Sequence, residues 1–168
     1  MAEEVNERPV LKIKWLPLDY VLEFTAAFLL ISTWYFVIIN YQNLPEKITI
    51  HFNLNGEADG YSSKSGIWAM PIITFLLWML LSILNQFPHI FNFPYKLNRE
   101  NIETQYRLAQ RFMRFIKIWI CSIFLFSVYS IQESSISANF KMNNGIFVIL
   151  GSIFVLMSVY IYFTRKNK

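Results

Sequence analysis

The chain has 168 residues, a formal net charge of +4 and 55% hydrophobic residues, among them 16 Phe, 9 Tyr and 5 Trp. Soluble domains hold roughly 45–50% apolar residues, and a fold this small has too little interior to hide the excess, so water is a poor solvent for it. The single cysteine, Cys121, excludes an internal disulfide.

The first 19 residues mix Glu3, Glu4 and Glu7 with Arg8, Lys12 and Lys14. The apolar run that follows is longer than a signal-peptide core, and no small-residue cleavage site follows it, so it reads as a retained anchor. A bilayer core about 30 Å thick needs roughly 20 mostly apolar residues in a helix. Four runs meet that length: Tyr20–Asn40, Ile67–Phe87, Phe112–Ile131 and Ile146–Phe163. Each is apolar on most faces, as lipid requires, and must be helical because unpaired amides in hydrocarbon are costly. The aromatic residues Trp15, Tyr20, Trp34, Tyr35, Tyr41, Trp68, Tyr160 and Tyr162 flank the runs as an interfacial belt.

The expected fold is an all-α membrane protein of four transmembrane helices. Residues 1–19 form a cytoplasmic tail, 20–163 a single membrane domain and 164–168 a basic cytoplasmic tail. Lys and Arg number twelve in the two tails and the middle connector, against three (Lys47, Lys64 and Lys141) in the other two loops. The positive-inside rule then places both termini in the cytoplasm. The cations sit at the ends of apolar runs, so no nucleic-acid partner is expected; the bilayer is the expected partner.

The first extracytoplasmic loop is "LPEKITIHFNLNGEADGYSSK", residues 44–64. Pro45 ends the approach from the first span. Ile48, Ile50, Phe52 and Leu54 then alternate with Thr49, His51, Asn53 and Asn55, which predicts a strand with one apolar face. Asn55-Gly56 is a type I′ turn signal, and Asp59-Gly60 repeats it. A small strand-and-turn cap is expected between helices 1 and 2, its apolar face on the bundle and its polar face, with His51 and Asn53, outward or in a cleft. The candidate binding residues are Pro45, His51, Asn53, Gly56, Glu57, Asp59, Gly60 and Lys64. His51 is expected to bond Asp59 or Glu57, and Lys64 to pair with one of those acids or with a lipid headgroup.

The spacing Asn55, Glu57, Asp59, Gly60 loosely matches a calcium loop, but Gly66 stands where a bidentate Glu is required. His51 lacks a second His or Cys nearby. No metal or other cofactor is implied, Ser62 and Ser63 show no triad spacing, and no enzyme activity is expected.

The residues Leu44, Pro45, His51, Phe52, Asn53, Gly56, Asp59, Gly60 and Lys64 resemble the signature of a bacterial membrane family catalogued as domain of unknown function 1648 (DUF1648). The same domain forms the N-terminal part of SdpI-type immunity proteins, which resemble multi-pass proteins that protect a cell from a secreted toxin and signal its presence. No Arg-Thr-Pro-Trp-like segment follows the third span here. The resemblance implies a multi-pass protein of a bacterial plasma membrane whose activity the family does not define.

In the middle connector, Asn98 is expected to cap a helix that continues into the third span, with Ile102, Tyr106, Ala109, Met113 and Ile116 near one face. Glu103 and Arg107 are spaced for an ion pair. Lys117 is expected to reach back to the interface, and the connector to anchor on headgroups. Asp19 and Glu23 lie four apart at the start of the first span; Glu23 is expected to need Arg114 or Lys117 if buried.

Three functions fit: a membrane protein whose outer loop binds or senses a ligand, an envelope protein or a second copy of itself; a small transporter or lipid-acting membrane enzyme; or a toxin-immunity or signalling protein of the SdpI type.

Overall fold

The computed structural model describes residues 8–137, 140–142 and 145–168; Glu3, Glu4 and Glu7 lie outside them. The elements are α1 (Pro17–Asn40), β1 (Lys47–Phe52), β2 (Ala58–Ser63), α2 (Ala69–Leu84), α3 (Ile102–Ile136) and α4 (Gly145–Lys166). Short 3-10 segments occupy Tyr41–Asn43, Lys64–Trp68 and Pro88–Ile90. Four helical stretches, Pro17–Asn43, Lys64–Leu84, Ile102–Ile136 and Gly145–Lys166, are long and apolar enough to cross a membrane. The chain is therefore an all-α, multi-pass integral membrane protein with a two-stranded antiparallel hairpin between its first two spans.

Helix boundaries follow local chemistry. Helix α1 starts three residues before the expected position, at Pro17, whose fixed φ suits a first helical residue. Asp19 Oδ2 accepts the Leu16 N–H at 2.8 Å and satisfies the orphan donor there. Helix α2 takes up α geometry only at Ala69, after the 3-10 turn, and Pro71 falls in its first turn, where a missing N–H costs nothing. It ends at Leu84, not Phe87; a turn over Asn85–Phe87 leads to Pro88.

Helix α3 is one continuous 35-residue helix from connector into membrane, as expected. At 1.5 Å per residue it is about 52 Å long and must project beyond the hydrocarbon. It starts at Ile102, because Asn98 caps a preceding turn instead: its Oδ1 accepts from the N–H groups of Glu100 at 2.9 Å and Asn101 at 2.8 Å. The Glu103–Arg107 pair forms at 2.9 Å. Gln105 Nε2 caps the end of α4, donating to the carbonyls of Thr164 and Asn167 at 2.9 Å each.

Helix α3 is the hub against which α1, α2 and α4 all pack. The buried residues of α1 are Asp19, Leu22, Ala26, Leu30, Thr33 and Val37, one stripe at helical spacing. On α3 the facing seam includes Arg114, Lys117, Cys121, Val128 and Ile131. Polar partners between the two helices keep a sequence offset of 91 to 96 from Asp19–Arg111 to Phe36–Gln132, so α1 and α3 run parallel in one register. The small residue Ala26, fully buried, lets the backbones approach. Phe24, Phe28, Ile31, Tyr35 and Ile38 point away from the stripe and are exposed, the arrangement lipid favours. Helix α4 leans on α3 through a Phe112–Tyr160 stack at 4.4 Å and a Trp119 Nε1 bond to the Ile149 carbonyl at 2.7 Å.

At one end of the seam lies an ionic cluster. Asp19 Oδ1 meets Arg111 Nε at 2.9 Å and Arg114 Nη1 at 3.3 Å. Glu23 Oε2 stands 3.5 Å from Arg114 Nε, and its other oxygen pairs with Lys117 Nζ. Glu23 thus takes both partners expected of it. Arg114 and Lys117 are each only 1% exposed and count among the largest fully buried side chains. This corrects the expectation that Lys117 snorkels to the interface and that this stretch of the connector anchors on headgroups. Two carboxylates on α1 offer Arg114 and Lys117 a better partner inside than water or lipid does outside.

Residues 8–16 lie strapped beneath this cluster. Arg8 Nη1 donates to the Phe91 carbonyl at 2.6 Å, the Tyr106 hydroxyl to Pro9 O at 3.3 Å, and Arg107 Nη1 to Lys14 O at 2.8 Å. Leu11 and Ile13 pack against Leu97, Ile102 and Tyr106.

Removing one member of a buried charge cluster strands the others and costs about 3–5 kcal/mol. Asp19→Asn, which leaves three cations to share Glu23, is expected to lower thermal unfolding stability in detergent by that order, and Arg114→Ala added to it to recover part of the loss. Equal stability of Asp19→Asn and the unmodified protein would show that the cluster does not hold α1 to α3.

Candidate functional site

The hairpin cap sits at the other end of the bundle. Its seat is an apolar cluster of Val37, Leu44, Ile48, Ile67, Val128 and Ile131, which joins α1, β1, the 3-10 turn before α2, and α3. The Thr49 N–H donates to Ser135 Oγ at 3.2 Å and ties β1 to the end of α3. Burying Ile48 and Ile67 completely contributes on the order of 1.5–3 kcal/mol each.

The strand expected from Ile48 exists, but its simple alternation does not hold. Ile48 and Thr49 are both buried, Ile50 is exposed, and Leu54 is 88% exposed at the hairpin tip. The cause is two register shifts, between Thr49 and His51 and between His51 and Phe52. Bulges of this kind re-aim side chains, while His51 stays exposed on the outward face where alternation places it.

The turn also departs from type I′, because Asn55 does not have positive φ. The Asn53 side chain supplies the missing acceptors: Oδ1 takes the N–H of Asn55 at 2.9 Å and of Glu57 at 3.0 Å. Gly56 is left-handed, at φ 76°. It also contacts Met142 backbone to backbone, its carbonyl accepting the Met142 N–H at 2.8 Å, where a Cβ would collide. Asp59-Gly60 is not a second turn but lies inside β2. Gly60 is opposite His51, and a Cβ on it would stand 2.7 Å from the His51 Cβ.

The expected bond of His51 to an acid forms, from Nδ1 to Asp59 Oδ1 at 2.5 Å. The two side chains are 70% and 44% exposed. With Nδ1 held by the carboxylate, the imidazole is oriented and its second nitrogen is left for a partner. Asn53, Gly56, Glu57, Asp59 and Gly60 are thus brought together with His51 on the hairpin. Pro45 and Lys64 are not; they lie at its base. Lys64 pairs with neither Asp59 nor Glu57, as its ammonium stands 3.4 Å from the Gln42 carbonyl and 4.9 Å over the Tyr41 ring. That ring packs on Trp68, which contacts Trp34, a part of the expected aromatic belt.

The partner of Glu57 is Lys141, at 2.7 Å. Behind the hairpin, Glu57, Tyr61, Thr49, Ser134, Phe140 and Lys141 line a cleft of about 510 Å3. Sequence reasoning passed over Lys141 and Tyr61. A lone cation in the second short loop, opposite an acid-rich first loop, was the available signal for Lys141. Among the described residues no three His, Cys, Asp or Glu side chains gather as metal ligands.

These features define a multi-pass membrane protein with a preorganised polar hairpin at one end. The family model described as "Domain of unknown function (DUF1648)" matches residues 28–75, and the chain carries that domain there, from the second half of α1 through the hairpin into α2. All eight candidate residues lie within it. No curated protein and no solved structure matches the chain.

The Lys141 contact and the Asn53 amide hold the Glu57 carboxyl below its usual range. A depressed folded-state pKa means that the contact stabilises fully above the ordinary glutamate range and is lost as pH falls through the lower folded-state value. A double-mutant cycle on Glu57→Gln and Lys141→Gln is expected to show coupling at pH 7 that diminishes as pH falls below the ordinary glutamate range. Coupling that persists undiminished at pH 3 would contradict this ion pair.

Proposed function

We propose that this protein is a recognition module of a bacterial plasma membrane, acting by binding and not by turnover, with the hairpin on the extracytoplasmic face. The distribution of Lys and Arg supports this orientation, since the end that holds Arg111, Arg114, Lys117 and both tails is the basic one. The hairpin then meets the periplasm or exterior, where a ligand or an envelope protein would reach it.

One observation carries the reading. The His51–Asp59 pair is fully formed yet exposed, at the bulged part of the hairpin. Loops placed on a rigid scaffold commonly carry binding function. The mid-depth hydroxyls of Thr33 and Thr74 are spent on their own helices, bonding Leu29 O at 2.9 Å and Met70 O at 2.7 Å. That favours recognition at the surface over a polar path through the bundle.

A photo-crosslinking residue at Tyr61 tests this in whole cells. A discrete adduct is expected, and it should fall at least about tenfold when His51→Ala and Asp59→Asn are added, the order expected for losing a charged hydrogen bond. Membrane levels should stay normal because both side chains are exposed. No adduct at Tyr61, or one indifferent to the two changes at equal protein level, would rule out recognition by this face.

A further inference from the structure

A second cavity, at the basic end of the bundle, carries an inference independent of the hairpin. Its volume is about 730 Å3, within the usual range for small-molecule sites. Its walls come from α1, α2, α3 and the strap, and include Lys12, Lys14, Asn85, Gln110, Arg114 and Lys117.

The charges around it do not balance. Among the described residues Arg111, Arg114 and Lys117 pair with two acids, Asp19 and Glu23, which leaves one positive charge over. Lys12 and Lys14 on the strap add two more. The cations are supported by aromatic faces instead of further acids: the Arg114 guanidinium lies 4.6 Å from the Trp15 ring, and the Lys117 ammonium 5.2 Å from Trp78.

Hydrogen bonding is incomplete as well. Asn85 Oδ1 is buried and has no hydrogen-bond partner, and Arg114 Nε makes no close hydrogen bond, standing 3.5 Å from Glu23 Oε2; their residues are only 6% and 1% exposed and both line the cavity. Buried polar groups are normally paired, and an unpaired one is expensive. A buried guanidinium whose Nε is only loosely held by Glu23, beside an ammonium and under two lysines, suits a phosphate, whose oxygens accept several charged bonds at once. Asn85 Oδ1 asks for a donor nearby, such as a hydroxyl or ammonium on the same molecule.

We propose that this cavity binds a phosphate ester bearing a hydroxyl or ammonium group, either the headgroup of a phospholipid or a free phosphate ester. The Trp15–Tyr20 ring pair, with centroids 5.1 Å apart, sits at the start of α1 beside it, where headgroups would lie.

Tryptophan fluorescence of the full chain in a maltoside detergent, which holds no phosphate, tests the site through Trp15 and Trp78. Short-chain phosphatidylglycerol and glycerol 3-phosphate are titrated separately. A saturable change with the lipid alone identifies a headgroup site, and one with the free ester identifies a soluble ligand. Lys12→Gln with Lys14→Gln, both away from the packed seam, should weaken binding about tenfold, the scale of charge-assisted contacts. Arg114→Lys keeps the charge that pairs with Asp19 and should weaken it similarly by losing the planar fork. No saturation with either ligand in the unmodified protein, or affinity unchanged in both variants, overturns the proposal.

Discussion

The arrangement rests on the ion pairing of two acids on α1 with Arg111, Arg114 and Lys117 on α3. In lipid, apolar surface gives helices little reason to prefer each other over acyl chains. A buried charge does give such a reason, because alone in a low dielectric it is costly. The cluster therefore selects which face of α1 meets which face of α3, and it sets the parallel register. A second polar contact repeats that register at the far end of the seam, where Asn40 Nδ2 meets Gln132 Oε1 at 3.2 Å and Gln132 Nε2 donates to Phe36 O at 2.9 Å.

That register places the hairpin. Val37 and Leu44 reach it from α1 and its loop, Val128 and Ile131 from α3, and Ile48 fills the space between them. One helix, α3, consequently touches both polar regions of the molecule: Ser135 holds β1 at one end, and Arg114 and Lys117 line the basic cavity at the other. The two regions are built differently. The hairpin keeps its polar groups paired and exposed, whereas the cavity keeps cations buried and only partly paired.

Much of this was legible in the sequence. Lipid imposes length and apolarity on its spans, so the four runs could be located within a few residues, and the hairpin could be placed between the first two. Glu23 could be matched to Arg114 and Lys117 because a buried acid needs a cation and few were within reach. The strand faces were less legible: period-two alternation assumes an unbroken ladder, and the shifts at His51 leave no mark on hydropathy. The depth of Lys117 was misread because a cation beside an apolar run signals topology equally well whether it turns to headgroups or to a neighbouring helix. The pairing with Glu57 expected of Lys64 is made by Lys141, since pairing depends on which loops meet, and Gly56 meets Met142 through the fold.

The central claim is that Glu23 and Lys117 stabilise the bundle as a pair. The most direct test is the thermal stability in detergent of Glu23→Gln, Lys117→Gln and the double variant. Coupling predicts that the double variant loses less than the two single losses combined, by about 2 kcal/mol or more, since neither charge is then left stranded. Losses that simply add would contradict it, and the register of α1 on α3 would have to rest on packing alone.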